Sequence, residues 1–209
     1  MVDMRSTYLK QLNSLEKELI VMGSLCEAII TKCVASIGVK DFDLAEVRTL
    51  EDEINQKERE LENLCIRILL LQQPVAGDLK YISASLKMVT DLERIGDNAA
   101  DIAETAMYIN KRDDEGLHLI EKMGDGVIFM VRSALDAFVR RDKALAKEMI
   151  EYDNIIDDFF LKIKKKVISS IDKEEVDGES ITDLMMCAKY LERIGDHAVN
   201  VAKWAIYAG

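Results

Sequence analysis

Acidic side chains recur at helical spacing in two matching segments of this chain. Leu92–Asp97 and Leu191–Asp196 carry the same six residues, Leu-Glu-Arg-Ile-Gly-Asp, 99 positions apart. In each copy a Glu and an Asp stand four positions apart, which places two carboxylates on one face of a helix. Such a pair of like charges destabilises a helix by about 0.3 kcal/mol. Because the chain repeats this cost, we infer a compensating gain, and the simplest is a bound cation.

Each copy extends into a longer row of oxygen donors. The first row is Glu93, Asp97 and Asp101, and the second is Glu192, Asp196 and Asn200. Hard divalent or trivalent cations prefer oxygen ligands, and carboxylates one turn apart can bridge two ions. Arg94 can neutralise Asp97 but is not expected to face its neighbour Glu93. His197 is expected to support the second row or to lie on the surface rather than to act as a principal ligand.

Further ligands are expected from the helix that precedes each row. In an antiparallel hairpin, residues at equal distances from the turn come level, and Asn55 and Glu93 each lie 19 residues from Pro74. The segments 51–55 and 153–157 occupy similar places in the two halves. In the second half Asp153 and Asp157 are the expected ligands, and Asp157 is expected level with Glu192. The pattern alone leaves open the alternative of a hydrated acidic surface. Gly96 and Gly195 fit close approach of an ion or, more commonly, of another helix.

The elements that position these rows are helices. Apolar residues at three-and-four spacing predict six long helices, over about 6–37, 47–71, 74–109, 119–139, 142–171 and 180–207. Gly38 and the segment 41–43 mark a stop and a new helix start, and Pro74 is expected to begin the third helix. The polar segment 110–116 is expected to be a linker, and the segment 172–179 a loop.

The fold class predicted is all-α, with two tandem, pseudo-symmetric three-helix bundles of six long helices in total. The internal period near 100 residues divides the chain into a first bundle over 1–110 and a second over 111–209. The composition agrees, with one Pro and ten Gly in 209 residues. Strand patterns and hairpin turns are essentially absent from the sequence.

Charge and cysteine usage exclude several classes of protein. A net charge of −11 argues against binding to nucleic acid or anionic lipid, although the lysines at 162 and 164–166 leave an acidic partner open. The four cysteines lack metal-site spacing and are expected to be reduced core residues of a cytoplasmic protein. No segment is expected to span a membrane. The chain has no phosphate loop, nucleophile elbow or zinc signature, so we expect no enzymatic activity.

Three segments together resemble the PhoU family of phosphate-uptake regulators. Gln72–Lys80, with the sequence QQPVAGDLK, is similar to the family segment before the third helix. Asp91–Asp97 and Tyr190–Asn200 are similar to the family's two signatures, in which an acidic residue precedes an Asp by four positions. The resemblance covers nearly the whole chain and implies the duplicated three-helix fold.

The resemblance implies a cytoplasmic, non-enzymatic adaptor that reaches the membrane only through its partners. Family members restrain the Pst phosphate transporter and hold a PhoR-type sensor histidine kinase in its off state; they often form homodimers and are associated with multinuclear iron or zinc clusters. Carried over, the metal sites fall on the two rows, with Asn55 where the second half has Asp157. Two alternatives are an accessory subunit of a Pit-type phosphate carrier and a carboxylate-bridged metalloenzyme.

Overall fold

The computed structural model describes residues 2–39, 42–72, 74–109, 114–171 and 177–209. These ranges contain six helices and no strand. The helices are α1 (Val2–Ser36), α2 (Ala45–Gln72), α3 (Ala76–Ala106), α4 (Asp114–Arg140), α5 (Lys143–Ser170) and α6 (Gly178–Ala208). The predicted all-α class and the six long helices are therefore confirmed.

Most of the predicted helix boundaries agree with the structure. Gly38 ends α1 with a φ of 72°, a left-handed conformation that favours glycine. Asp43 accepts a hydrogen bond from the amide of Ala45 where α2 begins. Asp142 caps α5 by accepting from the amides of Ala144 and Leu145. Side-chain oxygens thus satisfy amides that a helix start leaves without intrahelical partners.

Three boundaries differ from the prediction. The linker predicted over 110–116 is helical from Asp114, and α6 begins at Gly178 within the predicted loop, where Asp177 accepts from the amide of Glu179. Polar residues there serve as helix starts, which a hydrophobicity pattern cannot distinguish from loop. Pro74 precedes α3 by two residues instead of opening it. The boundary between residues 110 and 111, and residues 172–176 of the second loop, lie outside the described residues.

The helices form two three-helix bundles fused along their length. Helices α1, α2 and α3 pack together, as do α4, α5 and α6, and the bundles meet through α1 against α4 and through α3 against α6. One continuous apolar core runs through both. The molecule therefore has a layer of four helices in the order α2–α3–α6–α5, with α1 and α4 packed across it.

The contact between α1 and α4 is reciprocal and centres on two glycines. A Cβ atom at Gly23 would lie 2.2 Å from Cδ2 of Leu135, and one at Gly124 would lie 2.7 Å from Cγ2 of Val34. Each helix thus supplies one hollow and one branched side chain that fills the other's hollow. Gly124 follows Gly23 by 101 residues, and Leu135 follows Val34 by the same number. An approximate two-fold axis therefore relates the two contacts.

The four cysteines are buried and unbridged, as predicted. The Sγ of Cys26 donates to the carbonyl oxygen of Leu92, and burial raises the pKa of Cys65 to about 12. These thiols stay protonated at neutral pH and act as small apolar residues.

The expectation that no segment could span a membrane needs correction for α1. Its segment Ser6–Ser36 is long and apolar enough to do so by length and composition alone. The physical reason lies in the packing, because α1 contacts α2, α3 and α4 and so carries apolar side chains around much of its circumference. Leu15, Leu19 and Met22 are fully buried in the shared core, and such a core helix passes the same test.

Candidate metal-binding faces

The two repeated segments meet side by side at the centre of the molecule. Helices α3 and α6 run antiparallel, as shown by contacts of Lys80 with Tyr207 near one end and of Ser180 with the carbonyl oxygen of Tyr108 at the other. This arrangement brings the middle of α3 against the middle of α6, where Ile95 and Ile194 are fully buried. The carboxylates of each segment therefore flank one central helix pair.

The first acidic face is formed by α2 and α3. Its members are Glu51, Glu58, Glu93, Asp97 and Asp101, with Asn55 on the same side of α2 between the two glutamates. The pKa of Glu51 is raised by burial and then by the nearby charge of Asp97. The pKa of Glu58 is also raised, by burial and then by Glu62. The two helices thus bring carboxylates together that lie 35 or more residues apart in sequence.

Glu93 is the most strongly perturbed carboxyl on the first face. Its side chain is 15% exposed, and its pKa is raised to about 6 by burial and then by the charge of Asp97. Arg94 offsets part of this effect. Its Nη1 lies 3.0 Å from Oδ2 of Asp97, and its Nε lies 3.4 Å from Oε2 of Glu93. The expectation that Arg94 would not face Glu93 is wrong, because the long guanidinium side chain reaches both carboxylates.

The second acidic face is formed by Asp153 and Asp157 of α5 and by Glu192 and Asp196 of α6. The pKa of Asp153 is raised to about 6 by burial, then by Asp157, Asp196 and Glu192. That of Asp196 is raised by local desolvation and then by Glu192, and Lys189 opposes the shift. Lys189 also pairs with Glu192. Four carboxylates from two helices therefore share a small region, in which burial and mutual repulsion disfavour the charged forms of Asp153 and Asp196.

Glycines bring the helices of each hairpin close together. A Cβ at Gly96 would lie 3.0 Å from Cδ1 of Ile54, so this glycine serves close helix packing. At Gly195 the nearest atom is Oδ1 of Asp153, 3.2 Å from the position of a Cβ, followed by Ile156. The missing side chain at Gly195 thus lets the Asp153 carboxylate lie directly on α6.

A polar network links α3 to α6 within the central helix pair. The carboxylate of Asp91 on α3 accepts from Asn200 Nδ2 at 3.1 Å and from Trp204 Nε1 at 2.9 Å, and it lies 2.9 Å from His197 Nδ1. Asp91 is only 14% exposed. On the other side of the pair, Arg193 of α6 lowers the pKa of Asp101, against a larger rise from desolvation and from Glu104.

The structure therefore groups most of the predicted site residues as two sets. Glu93, Asp97 and Asp101 lie on the first acidic face, and Glu192 and Asp196 lie on the second. The amide of Asn200 instead contacts Asp91, on the side of α6 that faces α3. Its role as a ligand stays a prediction.

Sequence reasoning missed Glu58 and Asp91. It named the segment 51–55 as a source of ligands but chose only Asn55 from it, although the offset of 102 residues that relates Asn55 to Asp157 also relates Glu51 to Asp153. Glu58 follows Glu51 by two helical turns, but its counterpart in the second half is Phe160, so the repeat gives no signal for it. Asp91 has no acidic counterpart either, because Tyr190 stands at the matching position.

The donor set fits hard metal ions by its chemistry. Both faces concentrate carboxylate oxygens whose charge is only partly neutralised by Arg94, Lys189 and Lys203. Burial and then neighbouring carboxylates raise the pKa values of Glu93 and Asp153, and a bound cation would offset the repulsion between these carboxylates. Within the described ranges, no three Asp, Glu, His or Cys side chains stand together as a ready-made ligand set. Coordination would therefore require these side chains to change rotamer, while the two helices of each face already place them side by side.

Comparison with known sequences identifies the family. The PhoU domain profile matches this chain twice, over residues 19–106 and 120–205. The chain belongs to the PhoU family. A homologue from Clostridium acetobutylicum, named as a phosphate-specific transport system accessory protein PhoU homolog, is 35% identical over 97% of this chain and 94% of its own length. The resemblance found in the sequence motifs is thereby confirmed.

Solved PhoU structures share the fold. The crystal structure of PhoU from Pseudomonas aeruginosa superposes with a TM-score of 0.89 at 34% identity, over 96% of this chain and 98% of that one. The phosphate transport system regulatory protein PhoU from Streptococcus pneumoniae gives a TM-score of 0.87 at 25% identity, with 96% of both chains covered. The PhoU arrangement of six helices therefore holds for this chain over nearly its full length.

Proposed function

We propose that this PhoU-family protein is a cytoplasmic, non-enzymatic regulator of phosphate homeostasis. It restrains phosphate uptake through the Pst transporter and keeps a PhoR-type sensor kinase in its off state. Its relatives carry the name of an accessory protein of phosphate-specific transport, which supports the transport assignment. The single observation that carries the metal-dependent part is the pair of acidic faces built by matching hairpins.

The metal part of the proposal assigns divalent or trivalent ions, such as iron or zinc, to the two faces. Glu93 and Asp97 would hold ions on the first face, and Asp153, Asp157 and Glu192 on the second. An ion supplies positive charge where the fold concentrates negative charge, so loading stabilises the hairpins and fixes the surface they present to a partner. Gly96 and Gly195 allow the two helices of each hairpin to pack closely, which keeps the oxygen donors of the two helices next to each other.

Elemental analysis of protein purified without chelator or affinity metal tests the metal assignment. The double variant Glu93→Gln/Asp97→Asn should lose the metal of the first face and keep that of the second. Asp52→Asn/Glu53→Gln is a matched control, because it removes the same charge from exposed positions on α2. Metal content unchanged in the first variant would remove those residues as ligands.

A gene deletion tests the regulatory assignment. In the deletion strain a phosphate-responsive reporter should be expressed even when phosphate is ample, and phosphate uptake through Pst should rise. The wild-type gene should restore both, and the control variant should do so equally. Reporter expression and uptake that stay unchanged on deletion would contradict the regulatory role, whatever the metal content.

A further inference from the structure

One end of the molecule combines exposed aliphatic side chains with cations. The α2–α3 end, as we call it, contains the last turns of α2, α4 and α6 and the first turns of α3 and α5. Leu70 and Val75 are the two most exposed large hydrophobic residues in the described part of the chain, at 76% and 71%. Ile66, Leu71 and Leu79 beside them are also exposed. This hairpin tip therefore projects an apolar cluster into solvent instead of burying it.

Cations from distant parts of the sequence converge at the same end. The Nζ of Lys80 lies 5.9 Å from the ring centre of the exposed Tyr207, and the guanidinium of Arg141 lies 5.0 Å from that of Tyr81. Lys143 packs beside Gly209 at the end of α6. Arg67 lines an open groove near the end of α2 together with Glu60, Asn63, Ile66, Leu70 and Leu71, and Glu60 is paired with Lys57.

Carboxylates also lie at this end. Asp142 accepts from the two amides that begin α5, and Asp136 pairs with Arg140. Asp78 lies near the hydroxyl of Tyr8, whose pKa is raised by burial and then by Asp78. The five cations Arg67, Lys80, Arg140, Arg141 and Lys143 outnumber these three carboxylates. The charged side chains named here therefore leave the α2–α3 end net positive, although the chain as a whole carries a net charge of −11.

We propose that the α2–α3 end binds directly to an anionic lipid surface, with the hairpin tip inserted among the headgroups. Exposed aliphatic side chains with Lys, Arg and Tyr at the same end of a molecule can insert among the headgroups of such a surface and pair with its anionic groups. The inference goes beyond the proposed regulatory role and needs no transporter or kinase.

The position of the acidic faces reconciles this binding with the net charge. Glu93 lies 18 residues along α3 from Val75, which is about 27 Å at the helical rise. Charges separated by more than a Debye length, about 8–10 Å at physiological salt, are largely screened. A molecule standing on its α2–α3 end thus keeps the carboxylates of its two acidic faces beyond the reach of the lipid charge, whereas one lying on its side would be repelled.

Co-sedimentation with vesicles tests the proposal. The full chain should bind vesicles of phosphatidylcholine mixed with phosphatidylglycerol, bind pure phosphatidylcholine much less, and dissociate as salt rises. The variant Leu70→Ser/Leu71→Ser should weaken binding by about tenfold or more, because it removes the inserted apolar surface. Lys80→Gln/Lys143→Gln should weaken binding to the anionic vesicles by about tenfold and leave binding to neutral vesicles unchanged.

The controls use exposed residues on α5, where Leu161 and Ile168 are 48% and 56% exposed. Leu161→Ser/Ile168→Ser and Lys164→Gln/Lys165→Gln change aliphatic and lysine side chains at positions remote from the α2–α3 end, and they should bind as the wild type does. If the leucine variant fails to fold, as judged by circular dichroism, Val75→Asp replaces it.

Three results would overturn the proposal. One is the absence of binding by the wild-type chain to anionic vesicles, and another is an equal loss of binding in the α5 controls. The third is unchanged vesicle binding in the tip variants together with lost binding to a detergent-solubilised membrane protein, which would make the tip a protein-docking site. None of these results changes the reporter phenotype of the deletion strain, so the proposed function is tested separately.

Discussion

Replacing Glu93 with Gln should stabilise the metal-free protein at neutral pH. Burial and the charge of Asp97 raise the pKa of Glu93 from 4.5 to about 6. A shift of about 1.5 units corresponds to about 2 kcal/mol of unfavourable free energy when the group is ionised. Since Gln carries no charge and Arg94 keeps its contact with Asp97, we expect Glu93→Gln to raise the free energy of unfolding by about 1–2 kcal/mol at pH 7.

The sign of this effect depends on pH. A raised pKa means that the folded state holds the proton more tightly than the unfolded state does. The favourable contribution of protonated Glu93 is therefore complete below about pH 4 and is lost as the pH rises through 6. The gain from Glu93→Gln should vanish at about pH 4, where the wild-type side chain is protonated in both states.

Urea unfolding of chelator-treated protein at the two pH values measures this difference. Glu53→Gln is the control, since Glu53 is exposed on α2 and lies off the acidic face, and it should change little at either pH. A gain of equal size at both pH values, or none at pH 7, would refute the electrostatic reasoning. The same substitution should lower metal content, so that loss of a ligand and gain of stability appear together.

Three further outcomes are expected. Gly124→Ala should lower the free energy of unfolding by about 1 kcal/mol in a urea titration, because overpacking against the stiff Val34 outweighs the gain in helix propensity. Gly77→Ala is the control, because a Cβ there would meet no other atom, and it should raise the free energy of unfolding by about 0.5 kcal/mol. Equal effects of the two substitutions would contradict the packing argument. Asp91→Ala should cost about 3 kcal/mol, since it leaves the donors on α6 unpaired, and should shift the fluorescence of the single tryptophan; an unchanged spectrum would count against the network. The four buried thiols should react with a thiol reagent only on unfolding, and fast labelling of the native protein would argue against their burial.

The helices could be predicted from sequence because their apolar spacing is regular over many turns. The hairpin argument also succeeded in part, since its application to the loop between α5 and α6 placed Asp157 near the Glu192 row. It could not predict contacts that cross between the bundles. Asn200 continues the spacing of Glu192 and Asp196, yet its amide contacts Asp91 of α3, a pairing that neither the spacing nor the hairpin turn indicates.

The charge distribution could not be predicted from the sequence at all. Arg67, Lys80 and Lys143 lie on three different helices and Arg141 lies in the turn between α4 and α5, so they do not form one basic segment of the sequence. Only the antiparallel packing of α3 against α6, and the short turn between α4 and α5, gather them at one end. Arg141 itself holds a φ of 55°, a left-handed conformation uncommon for a residue with a side chain.

The reciprocal hollows at Gly23 and Gly124 bear on how this chain arose. Each half exposes, on the surface that meets the other half, both a cavity and the branched side chain of Val34 or Leu135 that complements it. A polypeptide comprising one half alone would therefore be self-complementary and should pair with a second copy of itself about a two-fold axis. In that sense the protein is a dimer of bundles joined in one chain. Because the two halves are covalently linked, their sequences could diverge, and the first half has Glu58 and Asp91 whereas the second has His197 and Trp204.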